Sequence, residues 1–145
     1  WKKKPGVSQG FSVYFSHLSY VAQVADAVMA NGKPKITHVT AVTDCGEVVN
    51  LSGAENQVKG AIIDGMGHAM FAKLRFNEGV AAPANFNSYR LIRGNEIPTI
   101  DAHFVDNGIA PTGLGEPALP PTGGSVANAI YAVTKKRLYR QPFDI

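Results

Sequence analysis

Cysteine is nearly absent from this sequence: Cys45 stands alone among 145 residues. A single thiol excludes an internal disulfide framework, and it excludes an iron–sulfur cluster ligated by this chain alone. Cys45 itself reads as a small buried hydrophobe. Charge is scarce too, at 17% of residues against the usual quarter. That shortage hints at surface that would face something else. The net charge is only +3, and basic residues gather at the two ends, in Lys2-Lys3-Lys4 and Lys135-Lys136-Arg137. Without a basic stripe carrying interleaved aromatics, nucleic acid is not an expected partner. No apolar run approaches a membrane span, and no signal peptide is visible. The sequence opens on Trp1 rather than Met, so it is expected to be a processed, truncated or partial piece of something longer.

Familiar catalytic signatures are missing as well. There is no G-x-S-x-G, no Walker loop, and no G-x-G-x-x-G following a strand. The four histidines, His17, His38, His68 and His103, show no H-x-H or H-x-x-x-H spacing and no cysteine partner. No metal site is expected from them.

What is present suits one globular domain, with 45% hydrophobic residues and enough length for a real core. Residues 1–10 are basic and turn-rich and read as a leader or linker. Phe11, Val13 and Phe15 alternate with polar neighbours, a short strand signal, and His17 and Ser19 follow in a loop-like stretch. Val21 to Met29 is apolar enough for a buried strand or a short helix. Asn31-Gly32 decides for the strand, because both central residues of a type I′ hairpin turn need positive φ. Lys35 to Thr43 then alternates and is rich in β-branched residues, completing an antiparallel hairpin.

After Asp44-Cys45-Gly46 the pattern changes. Ser52-Gly53-Ala54-Glu55 has the form of a capping box. A 3.6-residue apolar period runs from Ala54 through Met70 to about Lys73. Gly60, Gly65 and Gly67 inside that helix each cost about 1 kcal/mol against alanine, which points to close approach by another backbone or a bound group. Asn77-Glu78-Gly79 is a turn. Ile97 to Val105 reads as a strand starting at an edge because of Pro98. Val126, Ala129, Ile130 and Val133 mark a last helix, with Thr122 or Ser125 as possible caps. The order β-β-β-α-loop-β-loop-α gives an α+β fold, a sheet containing an antiparallel hairpin packed by two main helices.

One carboxylate stands apart. In Gly113-Leu114-Gly115-Glu116-Pro117, glycine frees the backbone while proline restricts the residue before it. Glu116 is expected to be held extended at a rigid turn ahead of the last helix. It is the best acid or base candidate in the chain, although the helix dipole favours its charged form.

Several segments together resemble one family. Val42-Thr43-Asp44-Cys45-Gly46, Val49-Asn50 and Glu55-Asn56-Gln57-Val58-Lys59-Gly60 are similar to the D-C-G-x-x-x-N … Q-x-x-G run of the molybdenum hydroxylases. Asn85-Phe86, Tyr89-Arg90, Pro98 and Gly113-x-Gly115-Glu116-Pro117 follow in that family's order. These are the large molybdopterin-binding subunits of the xanthine dehydrogenase and aldehyde oxidase group. Val126-Ala127-Asn128-Ala129-Ile130 is most like the branch containing isoquinoline 1-oxidoreductase β subunits. The likeness covers about residues 11–140.

The resemblance implies a specific chemistry. Glu116 would be the general base, taking a proton from a molybdenum-bound hydroxyl as it attacks an aldehyde or N-heterocycle carbon. Gln57 would hydrogen-bond the molybdopterin, expected in its cytosine dinucleotide form. Asp44, Asn85, Tyr89 and Arg90 match signature positions and read as structural. Residues 11–145 would be the C-terminal part of a molybdopterin-binding domain, inactive by itself. The implied partners are the remainder of the large subunit and a [2Fe-2S] small subunit, in bacterial cytoplasm or periplasm. The competing reading is a non-catalytic interaction module, or an isolated fragment, that keeps the fold.

Overall fold

A computed structural model describes residues 4–145. Three strands follow one another as a meander: β1 (Ser8–Ser16), β2 (Ser19–Ala30) and β3 (Lys33–Asp44). Asn31 and Gly32 both take positive φ, 51° and 76°, as the Asn-Gly signal requires. The β1–β2 turn is equally tight, with Ser16 paired to Ser19 and positive φ at His17 and Leu18. No local signal announces that turn. It is held from outside, because Gly113 donates its N–H to the His17 carbonyl at 3.0 Å. β1 starts at Ser8, ahead of the expected Phe11, so Ser8–Gly10 belong to the sheet. Of the leader expected over residues 1–10, residues 1–3 lie outside the described residues.

β6 (Thr99–Phe104) adds to the far side of β3, giving the order β1-β2-β3-β6 with the last pair parallel. It follows Pro98 at the sheet edge, where a missing N–H is tolerated. A bulge opposite Asp26 and Ala27 resets the β2–β3 register, so Ile36 and Val39 both turn inward. The inward face carries Val21, Ala25, Val39 and Ala41, and packs on the two helices. The outward face of β1 keeps Phe11, Val13 and Phe15 exposed.

α1 (Leu51–Met70) buries the expected stripe of Ala54, Val58, Ala61, Ile62, Met66 and Ala69. Its cap differs from the expected Ser52 capping box: Asn50 is the N-cap, accepting from the Gly53 N–H at 2.9 Å. Ser52 lies inside the first turn instead. The helix ends at Met70, short of Lys73, where Phe71 and Ala72 both donate to the Gly67 carbonyl.

α2 (Pro120–Thr134) has Leu119 at its N-cap and no side-chain cap. The expected caps Thr122 and Ser125 are both buried within the helix. Thr122 Oγ1 turns back to the Ala118 carbonyl at 2.9 Å, and Ser125 Oγ to the Thr122 carbonyl at 3.0 Å. Proline at the start needs no partner for a missing N–H, which eases the lack of a cap.

Of Gly60, Gly65 and Gly67, Gly65 is the one forced by contact. A β-carbon there would lie 2.8 Å from both the Leu119 carbonyl oxygen and Thr122 Cβ. A β-carbon at Gly67 would make ordinary contact with Ile92, and one at Gly60 would meet nothing within 4 Å. Gly10 performs the same service for β1, where a β-carbon would sit 2.1 Å from backbone atoms of Ser125 and Ala129.

Between α1 and β6 the chain forms a small hairpin, β4 (Phe76–Asn77) with β5 (Val80–Ala81), turning at Glu78-Gly79. Arg90 then donates to Glu96 at 2.5 Å and stacks 4.2 Å from the Phe71 ring centroid, tying this excursion to the end of α1. Asn85 accepts from the Phe86 N–H at 2.8 Å and supports its own turn.

Candidate functional site

Gln57 and the Glu116 loop, far apart in sequence, meet at one end of the sheet. A strap from Val105 to Leu119 runs there, crossing the end of β3 and the β1–β2 turn. Ile109 O accepts from the Glu47 N–H at 2.9 Å, and the Thr112 N–H donates to the Cys45 carbonyl at 2.9 Å. Asn107 Nδ2 donates to Asp44 at 2.7 Å. Asp44 and Cys45 therefore serve the strap, Asp44 with its side chain and Cys45 with its backbone. Burial pushes the Cys45 thiol above its ordinary value, with the Asp44 charge adding to the effect. It stays protonated near neutral pH and is no nucleophile.

Next along the strap, Ser19 makes a clasp. Its hydroxyl is 2.7 Å from Thr112 Oγ1 and donates to the Gly113 carbonyl at 2.5 Å. A β-carbon at Gly113 would stand 2.4 Å from His17 Cβ, so only glycine lets the strap lie so close to the turn.

Glu116 opens a four-residue turn. The Leu119 N–H donates to the Glu116 carbonyl at 2.8 Å, with Pro117 at the second position, where its fixed φ suits the turn. Pro117 and Ala118 are buried, while Glu116 is exposed. Among the described residues no hydrogen bond or ion pair occupies its carboxylate. The turn is thus anchored through its backbone and its neighbours, leaving the carboxylate oxygens available.

Beneath the turn lies a buried polar knot. Gln23, on the inward face of β2, donates Nε2 to the Ala118 carbonyl at 2.6 Å, and its Oε1 accepts from Thr122 Oγ1 at 3.1 Å. Ser12, the cross-strand neighbour of Gln23, donates to the Pro121 carbonyl at 2.7 Å.

Gln57 stands exposed on the second turn of α1, one turn ahead of the open Gly60. Its amide nitrogen is 3.7 Å from the place a β-carbon would take at Gly115, the residue before Glu116. An amide with free donors, bare backbone at Gly60 and an unpaired carboxylate suit a flat polar ligand with hydrogen-bonding edges. An apolar groove of about 440 Å³ lined by Met66, Met70 and Phe143, and another of about 630 Å³ on the outer sheet face, include neither residue. Among the described residues no group of three or more His, Cys, Asp or Glu is placed to hold a metal ion.

The sequence marks no site role for Ser19, Gln23 or Thr112, and it marks Thr122 only as a possible cap. One signal was available for Gln23: a lone amide between Val21 and Ala25 on a face that is otherwise apolar. The other three are small hydroxyl residues, each with a side-chain partner more than ninety positions away, and nothing local marks those pairings.

Residues 1–98 match the molybdopterin cofactor-binding domain family. That match includes Gln57 and stops short of Glu116. The chain is 32% identical over 104 residues to a membrane-bound aldehyde dehydrogenase [pyrroloquinoline-quinone] of Gluconacetobacter polyoxogenes, covering 72% of this chain and 14% of that protein. It is 27% identical over 107 residues to the isoquinoline 1-oxidoreductase subunit beta of Brevundimonas diminuta, covering 74% and 14%. In fold it is similar to quinoline 2-oxidoreductase from Pseudomonas putida 86, with a TM-score of 0.71 at 19% identity, over 86% of this chain and 17% of that one. The chain therefore spans about one seventh of these curated relatives.

Proposed function

This chain belongs to the molybdopterin cofactor-binding domain family, and from that premise we propose that it supplies a general base and a cofactor contact to a molybdenum-dependent hydroxylase. The observation that carries the reading is the nearness of Gln57 to Gly115, its amide nitrogen 3.7 Å from the place a β-carbon would take there, which sets the cofactor candidate beside the base candidate's loop. In this reading residues 11–145 are the C-terminal part of the cofactor-binding domain. The rest of the large subunit and a [2Fe-2S] small subunit complete the enzyme, and molybdopterin takes its cytosine dinucleotide form. An aldehyde or an N-heterocycle is the substrate, which the names of the two relatives support.

The residues present fit such a group. Gln57 offers two N–H donors and a carbonyl acceptor to a pterin edge, and the side-chain-free surface at Gly60 allows close approach. Molybdenum held by the bound pterin would supply the redox chemistry, as a two-electron acceptor. Everything else falls to the protein. Glu116 holds its carboxylate oxygens on a turn whose flanks are fixed, and accepts a proton as the substrate is oxidised. A base so placed need not be ordered during the reaction, which is the advantage of a rigid frame.

The test uses the complete gene product: molybdenum and pterin content, with aldehyde and N-heterocycle oxidation, for wild type and Glu116→Gln. Both proteins should carry molybdenum, with turnover reduced about 100-fold or more in the variant. Normal turnover by the variant would remove the base assignment. A wild-type protein without molybdenum would favour the non-catalytic interaction module instead.

A further inference from the structure

We propose that Gln23 is a positioning residue for Glu116, acting through the Ala118 carbonyl; the inference rests on the reading of Glu116 as the base. Gln23 is fully buried among Val21, Ala25 and other apolar side chains, where a hydrocarbon of similar length would fill the space. A buried amide is costly unless both of its ends are bonded, so its presence calls for a reason. Both ends are bonded here, and both bonds go to the segment just after Glu116.

The direction of the amide follows from its partners. The Ala118 carbonyl can only accept, so the atom 2.6 Å from it is Nε2, and Oε1 is left for the Thr122 hydroxyl at 3.1 Å. Thr122 Oγ1 also lies 2.9 Å from the same carbonyl. The one Thr122 hydroxyl hydrogen is thus shared between Gln23 Oε1 and Ala118 O, and Ala118 O is approached from both β2 and the first turn of α2. Ala118 is the third residue of the turn that Glu116 opens, closed by the 2.8 Å bond from the Leu119 N–H. With Pro117 fixed in φ and buried, the orientation of the Ala118 peptide decides where the Glu116 backbone stands. Ser12, paired with Gln23 across β1 and β2, holds the Pro121 carbonyl in the same way. The sheet reaches through its core with two side chains to grip the far flank of the turn.

Hydrogen exchange read by mass spectrometry on the intact protein tests this, comparing peptides covering residues 113–121 with peptides covering 36–44. Gln23→Met keeps length and volume without the amide; Thr122→Val keeps shape without the hydroxyl, and Thr122→Ser restores it. Exchange over 113–121 should rise at least 10-fold in Gln23→Met and Thr122→Val, stay near wild type in Thr122→Ser, and leave 36–44 unchanged. In the active enzyme kcat should fall at least 10-fold in the same two variants with KM changed less than threefold. Unchanged exchange over 113–121 would overturn the proposal, and so would an equal rise in both regions, which would make the knot part of global stability. If Glu116→Gln turned over normally, the base reading would fail, while the exchange result would still report whether Gln23 holds the turn.

Discussion

The Gln57 amide nitrogen faces Gly115: 3.7 Å separates the amide from the place a β-carbon would occupy there. The first turns of α1 and the strap before α2 therefore share one surface, with Gln57 on one side and Glu116 next in chain on the other. In the proposed reading a flat group seated on that surface would lie within reach of both segments, so cofactor retention would depend on the shape of the strap.

Replacing Gln57 by alanine removes the amide while leaving an exposed helix position that tolerates the change. Fold stability should stay within about 0.5 kcal/mol. Molybdopterin content of the complete enzyme should fall, with an affinity loss of about tenfold for one good hydrogen bond. Equal pterin content in wild type and variant, measured after gel filtration, would show that Gln57 does not touch the cofactor.

Gly60 and Gly65 sit on the same helix and should respond oppositely. Gly65→Ala drives a methyl against the Leu119 carbonyl and Thr122 and should destabilise by about 1–3 kcal/mol in urea unfolding. Gly60→Ala meets nothing and should stabilise by up to about 1 kcal/mol from helix propensity alone. In the complete enzyme the Gly60 variant should nonetheless lose cofactor, because the added methyl occupies the approach to the helix.

The cap of α1 can be tested by two single substitutions. Asn50→Ala deletes the side-chain acceptor for the Gly53 N–H and should cost about 1 kcal/mol. Ser52→Ala should be close to neutral, since the Ser52 hydroxyl makes no cap bond. Reversed magnitudes in thermal unfolding would reinstate the Ser52 capping box.

Asp26 makes stability fall in acid. Its carboxylate is 5% exposed, bonded by Lys4 Nζ at 2.6 Å and Gln9 Nε2 at 2.9 Å, with His38 Nδ1 3.5 Å away. Burial by itself raises its pKa, but those bonds and the Lys4 and His38 charges outweigh it and hold the carboxyl below the usual 3.8. A group lowered on folding contributes above its unfolded pKa and loses that contribution as pH falls through the folded one. Wild type should therefore exceed Asp26→Asn in stability at about pH 6, and the gap should narrow by about pH 3. A gap of the same size at both values would show that the charge is not what Asp26 contributes.

Much of this protein is settled by sequence alone, for local reasons. Asn31-Gly32 specifies the β2–β3 turn because its backbone angles are rare in other residues, and the apolar period of residues 54–70 specifies α1 because only one face can be buried. The ordered motifs around Gln57 and Glu116 identify the family because few folds would require that set. Other features exist only in three dimensions. The Asn50 cap won over Ser52 where the strap and the end of β3 fixed the chain entering α1. His17-Leu18 became a tight turn because Gly113 lies against it, and Thr122 turned from expected cap to buried partner because Gln23 faces it from the sheet. Each of these depends on a partner distant in sequence, and a contact of that kind leaves no periodicity to read. The sequence determined which residues could do chemistry; the packing of β2, the strap and α2 decided how they are held.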